Sequence, residues 1–298
     1  MTWWCSATGQ PWTWAWKAYP GVWLFVTGLA VLYFLVIRRA AEPRPSDLQE
    51  REGATRERRS PSGPSRRAAS LFAVGLLTVW LALDWPIGPL GTGYLISFHT
   101  VSYILLSLIA PPLLLAGTPS QVMLRAAQAP RAGPLLRNLA RPLIALALFN
   151  ATLICTHIPD VVDGLMRSQL GAFAIDLAWF LGGIVLWWAI MAPPPVCRLT
   201  RPMKMGYLFA ATLPPILPAA FLTFADYPLY AVYELAPRAL DLPAHSDQQI
   251  AGLTMKIIGD LPLWFAFGVI FFRWARESGG SNPVHPSAAQ QSATGSVV

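Results

Sequence analysis

Seven apolar runs dominate this 298-residue sequence, and each is close to the length that crosses the hydrocarbon core of a bilayer. A membrane-spanning helix needs about 20 apolar residues, and it satisfies its own backbone polar groups. The runs therefore predict an all-helical integral membrane protein, a polytopic bundle of seven transmembrane helices. The predicted spans are 20–37, 71–86, 94–116, 142–159, 172–192, 206–225 and 250–272.

The composition agrees with a membrane protein and excludes several soluble classes. Hydrophobic residues make up 54% of the chain and charged residues only 12%, against about 25% charged in ordinary soluble domains. Soluble enzymes, nucleic-acid-binding domains and secreted disulfide scaffolds are excluded; three scattered cysteines are too few for the last class. The first residues lack the basic region and cleavage site of a signal peptide.

The basic residues predict how the bundle is oriented. The net charge of +7 comes from Lys and Arg that are concentrated in alternate loops. Most lie in 38–70, 117–141, 193–205 and the segment after 272, whereas the opposite loops hold only Lys17, Arg167 and Arg238. Because basic loops stay on the cytoplasmic side, we expect the N-terminus outside, the C-terminus in the cytoplasm, and no nucleic-acid partner.

Residues 1–278 are interpreted as one seven-span membrane domain, which is followed by a polar tail. The Arg- and Pro-rich segment 38–70 is expected to be a disordered cytoplasmic loop that contacts inner-leaflet lipid. The small, polar segment 279–298 is expected to be a disordered tail. The tyrosines of the 226–249 loop favour an ordered interfacial segment, and the prolines at 214, 215 and 218 predict a kink or unwound turn in the sixth span.

No ionisable residue falls in the inner half of any predicted span. Charged groups in hydrocarbon are expensive and usually have a function, so an outward-facing polar pocket is predicted where these spans face one another. A structural role, as buried polar pairs or interfacial residues, is the alternative, and it is the favoured one for Asp84. The predicted pocket residues are Asp84, His99, Cys155, His157, Asp176, Lys256 and Asp260.

Three of these residues are candidate metal ligands. Imidazole and thiolate groups suit copper, so His99 and His157 are proposed ligands and Cys155 a possible third. A buried cysteine is also often a small apolar residue. Lys256 and Asp260 are four residues apart on one helix, which predicts an ion pair. The common hydrolase, zincin, nucleotide-binding and redox motifs are absent from the sequence.

Three segments carry a resemblance to a known family. They are SFHTVSYILLSLIAPPLLLAGTP at 97–119, FNATLICTHIP at 149–159, and the stretch 219–252 with FLTF, PLY and DQQIAG. In this order they resemble the CtaG-like assembly factors of caa-type cytochrome c oxidase. The resemblance covers the chain apart from 38–70 and the tail.

The resemblance implies a non-enzymatic assembly factor in the bacterial cytoplasmic membrane. Its partners would be subunits of a haem–copper terminal oxidase and the lipid bilayer, and copper would be handled at the outer face. Asp176, Lys256 and Asp260 would support the ligands or carry protons. The family pattern has further histidines at positions that are Tyr103, Ala172 and Asp176 here, so metal binding could be altered in this chain.

Two other functions remain open at this point. A transporter of copper or another small solute would fit the proline-broken sixth span, although the inner half of the bundle offers no polar path. A membrane scaffold that binds no metal would use the same polar residues only to hold helices together. The copper content of the protein separates the scaffold from the assembly factor that handles copper.

Overall fold

A computed structural model describes residues 2–7, 9–41 and 65–279, and their regular secondary structure is entirely helical. The helices are α1 (Pro20–Ala41), α2 (Arg66–Leu83), α3 (Ile87–Gly93), α4 (Ile96–Ile104), α5 (Ala110–Gly117), α6 (Ser120–Gln128), α7 (Gly133–Leu139), α8 (Pro142–Cys155), α9 (Pro159–Leu165), α10 (Gln169–Met191), α11 (Arg201–Ala211), α12 (Ile216–Phe224), α13 (Ala231–Glu234) and α14 (Ala244–Gly279).

Six helices or joined helix pairs in the described part are long and apolar enough to cross a membrane. The predicted fourth span is different, because α8 alone has only 14 residues and α7 meets it at an angle of 82°. If the α7–α8 pair is one span, the count is seven. The membrane bundle is thus confirmed, whereas the count of seven and the orientation of the termini stay predictions.

Several predicted boundaries are shifted. Residues 38–41 and 66–70 are helical instead of belonging to a disordered loop, since α1 continues to Ala41 and the Ser65 side chain caps α2 by accepting from the Ala68 amide. The last helix begins at Ala244, six residues before the predicted start. The disorder predicted for 42–64 and 280–298 falls outside the described residues.

The third span lies at the centre of the bundle and contains a π-helical turn, Leu105–Ile109, between α4 and α5. It packs against α2, α10 and α14. The turn follows from Pro111 and Pro112, which have no amide hydrogen for the carbonyls of Ser107 and Leu108. The helix widens so that the Ala110 amide instead bonds the Leu105 carbonyl, five residues back.

The Ser107 carbonyl, whose usual partner in a helix is here the proline at 111, lies against a glycine of α10. A Cβ atom built on Gly183 would stand 2.3 Å from the Ser107 oxygen and 2.6 Å from its Cα. Glycine is therefore the residue that lets the two backbones meet at this depth, as small residues do in other membrane bundles. The neighbouring Gly182 has more space, because its Cβ would be 3.6 Å from the nearest atom.

The sixth span is broken, as its prolines predict. Helix α11 ends at Ala211 and α12 starts at Ile216. Lys256 of α14 donates from Nζ to the Thr212 carbonyl (3.0 Å) and forms the predicted ion pair with Asp260 (2.6 Å). The lysine thus bonds to both a carbonyl at the break and a carboxylate on its own helix.

Substitution of Gly183 by alanine is expected to destabilise the protein by about 1–3 kcal/mol, the range for overpacking a filled core. The new methyl group would collide with the Ser107 backbone, which cannot move without shifting the third span. Thermal unfolding in detergent measures the effect as a loss of several degrees in Tm. Gly182→Ala is the matched control, and an equal loss in both variants would contradict the assignment.

Phosphatase fusions test whether the α7–α8 pair crosses the membrane. We expect a fusion after Arg141 to be inactive in the cytoplasm and a fusion after Arg167 to be active outside. Fusions after Pro195 and Arg238 lie on the two sides of the sixth span and serve as controls for the assay. Equal activity after Arg141 and Arg167 would show that the bent pair does not cross and that the chain has six spans.

Candidate functional site

His99 lies in α4 within an aromatic cluster and is 5% exposed. Its ring centroid is 4.6 Å from that of Trp179 on α10 and 5.8 Å from that of Tyr233 on α13. The Nε2 atom is buried and has no hydrogen-bond partner among the described residues. A buried nitrogen without a partner costs free energy, so this atom is the first indication of a site.

His157 follows the end of α8 and faces the same indole. Its ring lies 6.2 Å from Trp179 and 5.6 Å from Tyr103 between centroids. The Nδ1 atom is 2.7 Å from the Leu153 carbonyl. Because a carbonyl only accepts, the proton is assigned to Nδ1, which leaves the lone pair on Nε2 for a ligand.

Trp179 contacts both imidazoles. The indole is almost fully buried, lies 5.5 Å from the Tyr103 ring, and donates from Nε1 to the Thr156 hydroxyl (2.8 Å). The indole therefore keeps a fixed orientation while both histidines contact its faces or edges. The residues His99, Tyr103, His157, Trp179 and Tyr233 are called the histidine–aromatic cluster below.

The carboxylate of Asp247 fixes the start of the helix that carries His99. It accepts the backbone amides of Ile96 (2.6 Å) and Ser97 (3.3 Å), together with the Ser97 hydroxyl. The first amides of a helix have no partner within the helix. A carboxylate at this end also interacts favourably with the positive end of the helix dipole. Asp247 of α14 thus caps α4 from a distant part of the chain.

The two glutamines that follow Asp247 fasten the outer loop to α12. Gln248 accepts from the Leu229 amide (2.6 Å) and donates to the carbonyls of Leu222 and Tyr227 (both 3.3 Å). Gln249 donates to the Thr223 carbonyl (3.4 Å). The DQQ segment therefore joins α4, α12 and the tyrosine-rich loop into one outer layer.

Two tyrosines of this loop close the cluster from the outside. Tyr230 donates its hydroxyl to the His157 carbonyl (2.8 Å), and Tyr233 donates to the Gly91 carbonyl (2.7 Å). Burial raises the pKa of both Tyr230 and Tyr233 above the usual value of a phenol. Both phenols therefore remain neutral hydrogen-bond donors at physiological pH, so pH changes near neutrality do not break these two bonds.

A cavity of about 370 Å³ borders His157 between α8 and α12. Its walls are apolar and include Ile154, Leu217 and Phe221, with Tyr230 at the outer end. The three apolar side chains are partly or largely exposed in the absence of a bilayer. In a bilayer this opening would lead sideways from the cluster into the hydrocarbon phase.

The other predicted pocket residues lie apart from the two histidines. Cys155 is exposed on the surface of α8. Asp176 accepts from Trp4 Nε1 (2.8 Å), and Asp84 is fully buried. No hydrogen bond, ion pair or ring contact of the described residues links Lys256–Asp260 to the cluster, but Asp260 lies within electrostatic range of Tyr103.

The Asp84 carboxylate lies near the Trp85 amide and the indoles of Trp23 and Trp80, but none of these described donors has full hydrogen-bond geometry to it. Within the described ranges, no three side chains of His, Cys, Asp or Glu form a group that could hold a metal ion. The structure thus brings together His99 and His157 but does not supply a third ligand of these types from the described residues.

Sequence reasoning missed Trp179, Tyr233 and Trp4. Apolar spans rich in tryptophan give no signal for which indole faces inward, and 13 tryptophans are spread along this chain. The tyrosine-rich loop was expected to be ordered, but nothing in the sequence indicates that it closes over His99. The position of Asp247 in a motif of the resemblance was the one available clue to its capping role.

Comparison with known proteins finds relatives among mycobacterial proteins. Uncharacterized proteins of Mycobacterium leprae and Mycobacterium bovis are each 25% identical over 240 residues, which cover 71% of this chain and 36% of the relative. The chain thus spans about a third of the length of the curated relatives it matches. No solved structure matches the chain.

The family model described as cytochrome c oxidase caa3 assembly factor matches residues 53–277. That range contains all three segments of the resemblance, the histidine–aromatic cluster and the Asp247 cap. The match confirms the family that the motifs indicated: the chain belongs to the cytochrome c oxidase caa3 assembly factors.

Proposed function

We propose that this protein assists the maturation of a haem–copper terminal oxidase in the bacterial cytoplasmic membrane by passing copper through the histidine–aromatic cluster. Copper is the cargo in this proposal, and oxidase subunits are the partners. Family membership supports the assembly role. The copper step rests on the chemistry of the two histidines.

The observation that carries the copper step is the buried, unpaired Nε2 of His99. Its partner in the proposal is Nε2 of His157, since Nδ1 of that ring faces the Leu153 carbonyl. A carbonyl that orients the far nitrogen of an imidazole is the usual support behind a metal ligand. Imidazole nitrogen is also a ligand that copper accepts readily.

Two protein ligands suit a metal that is passed on. The described residues offer no third His, Cys, Asp or Glu side chain at the cluster, so a further ligand would come from the donor or the acceptor of the copper. The surrounding indole and phenol rings exclude water from the exchange. Cys155 plays no part in this arrangement, because it lies exposed on α8.

Copper binding tests this proposal directly. Purified protein, kept reduced in detergent, is expected to bind close to one copper per chain. Substitution of His99 or His157 by alanine should weaken binding at least tenfold, because one of two protein ligands is lost. Equilibrium competition with a Cu(I) chelator measures the affinity.

His245→Ala is the matched control, since His245 lies near the outer end of α14 and bonds the Ala225 carbonyl instead of joining the cluster. Cys155→Ser should also leave the affinity unchanged. Absence of copper from the unmodified protein would contradict the copper step and favour a metal-free scaffold. Equal losses in the His245 variant would point to non-specific binding.

The assembly role is tested separately in cells. Deletion of the gene is expected to lower the amount of active caa3-type oxidase in membranes, and the intact gene should restore it. The His99→Ala, His157→Ala double variant should restore subunit levels less well than the His245→Ala variant and should leave the oxidase deficient in copper. The spectrum and copper content of the isolated oxidase provide the readout.

Normal oxidase in the deletion strain would contradict the assembly role itself. Full restoration by the double variant would instead contradict only the copper step. The two parts of the proposal therefore fail through different results.

A further inference from the structure

The segment between the third and fourth predicted spans forms a helical hairpin on the surface of the bundle. Helices α6 and α7 pack against each other, and α7 also contacts α8 and α10. Because α7 meets α8 at 82°, α7 would lie along the membrane surface if α8 enters the bilayer. The hairpin is therefore placed at the level of the lipid headgroups.

The hairpin is held in a defined shape. Arg137 of α7 donates to the Ala127 carbonyl near the end of α6 (2.6 Å). Trp188 of α10 donates from Nε1 to the Leu136 carbonyl (2.9 Å). Gly133 makes the close turn between the two helices, since a Cβ there would lie 2.5 Å from the Ala127 oxygen.

Beneath the hairpin is an apolar cleft of about 240 Å³. Its walls come from α6, α7 and α10, together with the end of the third span. They include Val122, Met123, Leu136, Leu139, Ile184 and Trp188. The lining is apolar and partly exposed, so in a membrane it suits a hydrocarbon chain instead of water.

The hairpin that forms the rim of this cleft is basic. Residues 117–141 contain four arginines and no acidic residue. Arg131 lies exposed in the turn of the hairpin, and Arg141 lies exposed between α7 and α8. Basic side chains at the edge of an apolar cleft between membrane helices are the arrangement that binds anionic lipid headgroups.

We propose that this cleft is a binding site for one anionic phospholipid, with an acyl chain under the hairpin and the phosphate at Arg131 and Arg141. A zwitterionic lipid could fill the same cleft but would gain less from the arginines. The charge of the rim thus identifies the occupant. The site is separate from the histidine–aromatic cluster and does not depend on the copper proposal.

Lipid binding to the delipidated protein in detergent tests the proposal. Palmitoyl-oleoyl phosphatidylglycerol is titrated against phosphatidylcholine with the same chains, and native mass spectrometry counts bound lipids. We expect one phosphatidylglycerol to bind at least tenfold more tightly than phosphatidylcholine. The double variant Arg131→Gln, Arg141→Gln should lose most of that preference, since each arginine contributes about fivefold.

Two further variants keep the result specific. Arg273→Gln with Arg276→Gln removes the same charge from exposed positions on α14, and it should keep the preference. Ala126→Phe should weaken both lipids by filling the cleft that Ala126 lines. Equal binding of the two lipids by the unmodified protein, or an equal loss in the α14 control, would overturn the proposal.

Discussion

The bond between Asp247 and the start of α4 is the contact on which the end of the bundle that holds the histidine–aromatic cluster depends. A single carboxylate accepts two backbone amides and a hydroxyl, and bonds to a charged acceptor are among the stronger hydrogen bonds in proteins. It couples α14 to the helix that carries His99. The adjacent Gln248 attaches α12 and the tyrosine-rich loop to the same part of α14. The same segment therefore fixes both the position of His99 in α4 and the position of the loop that covers His99.

A second constraint comes from proline inside a bilayer, where water is not present to satisfy a lost hydrogen bond. The third span meets it with a π-helical turn, and its Ser107 carbonyl packs against Gly183. The sixth span meets it with a lysine from the neighbouring helix. The two solutions differ in the group that lies against the proline-broken turn, a glycine backbone in the third span and a lysine side chain in the sixth.

Hydropathy predicts most of the fold because the length of an apolar run is itself the structural requirement. It places the spans within a few residues, and the prolines at 214 and 215 predict the break. Local pattern does not reveal partners far apart in the chain. Asp247 looks the same in sequence whether it faces water or caps α4. His99 and His157 become neighbours only because both pack against Trp179. The helical start at Arg66 escapes prediction since hydropathy gives little weight to a serine cap followed by arginines.

The broken sixth span also has a consequence for how the protein enters the membrane. Lys256 is synthesised 44 residues after Thr212, whose carbonyl it pairs. Until the last helix arrives, the gap between α11 and α12 holds an unsatisfied backbone group in hydrocarbon, and Lys256 enters with only Asp260 of its own helix as a partner. Each half of the pair thus lowers the insertion cost of the other, which favours delivery of the last two spans from the translocon as a hairpin.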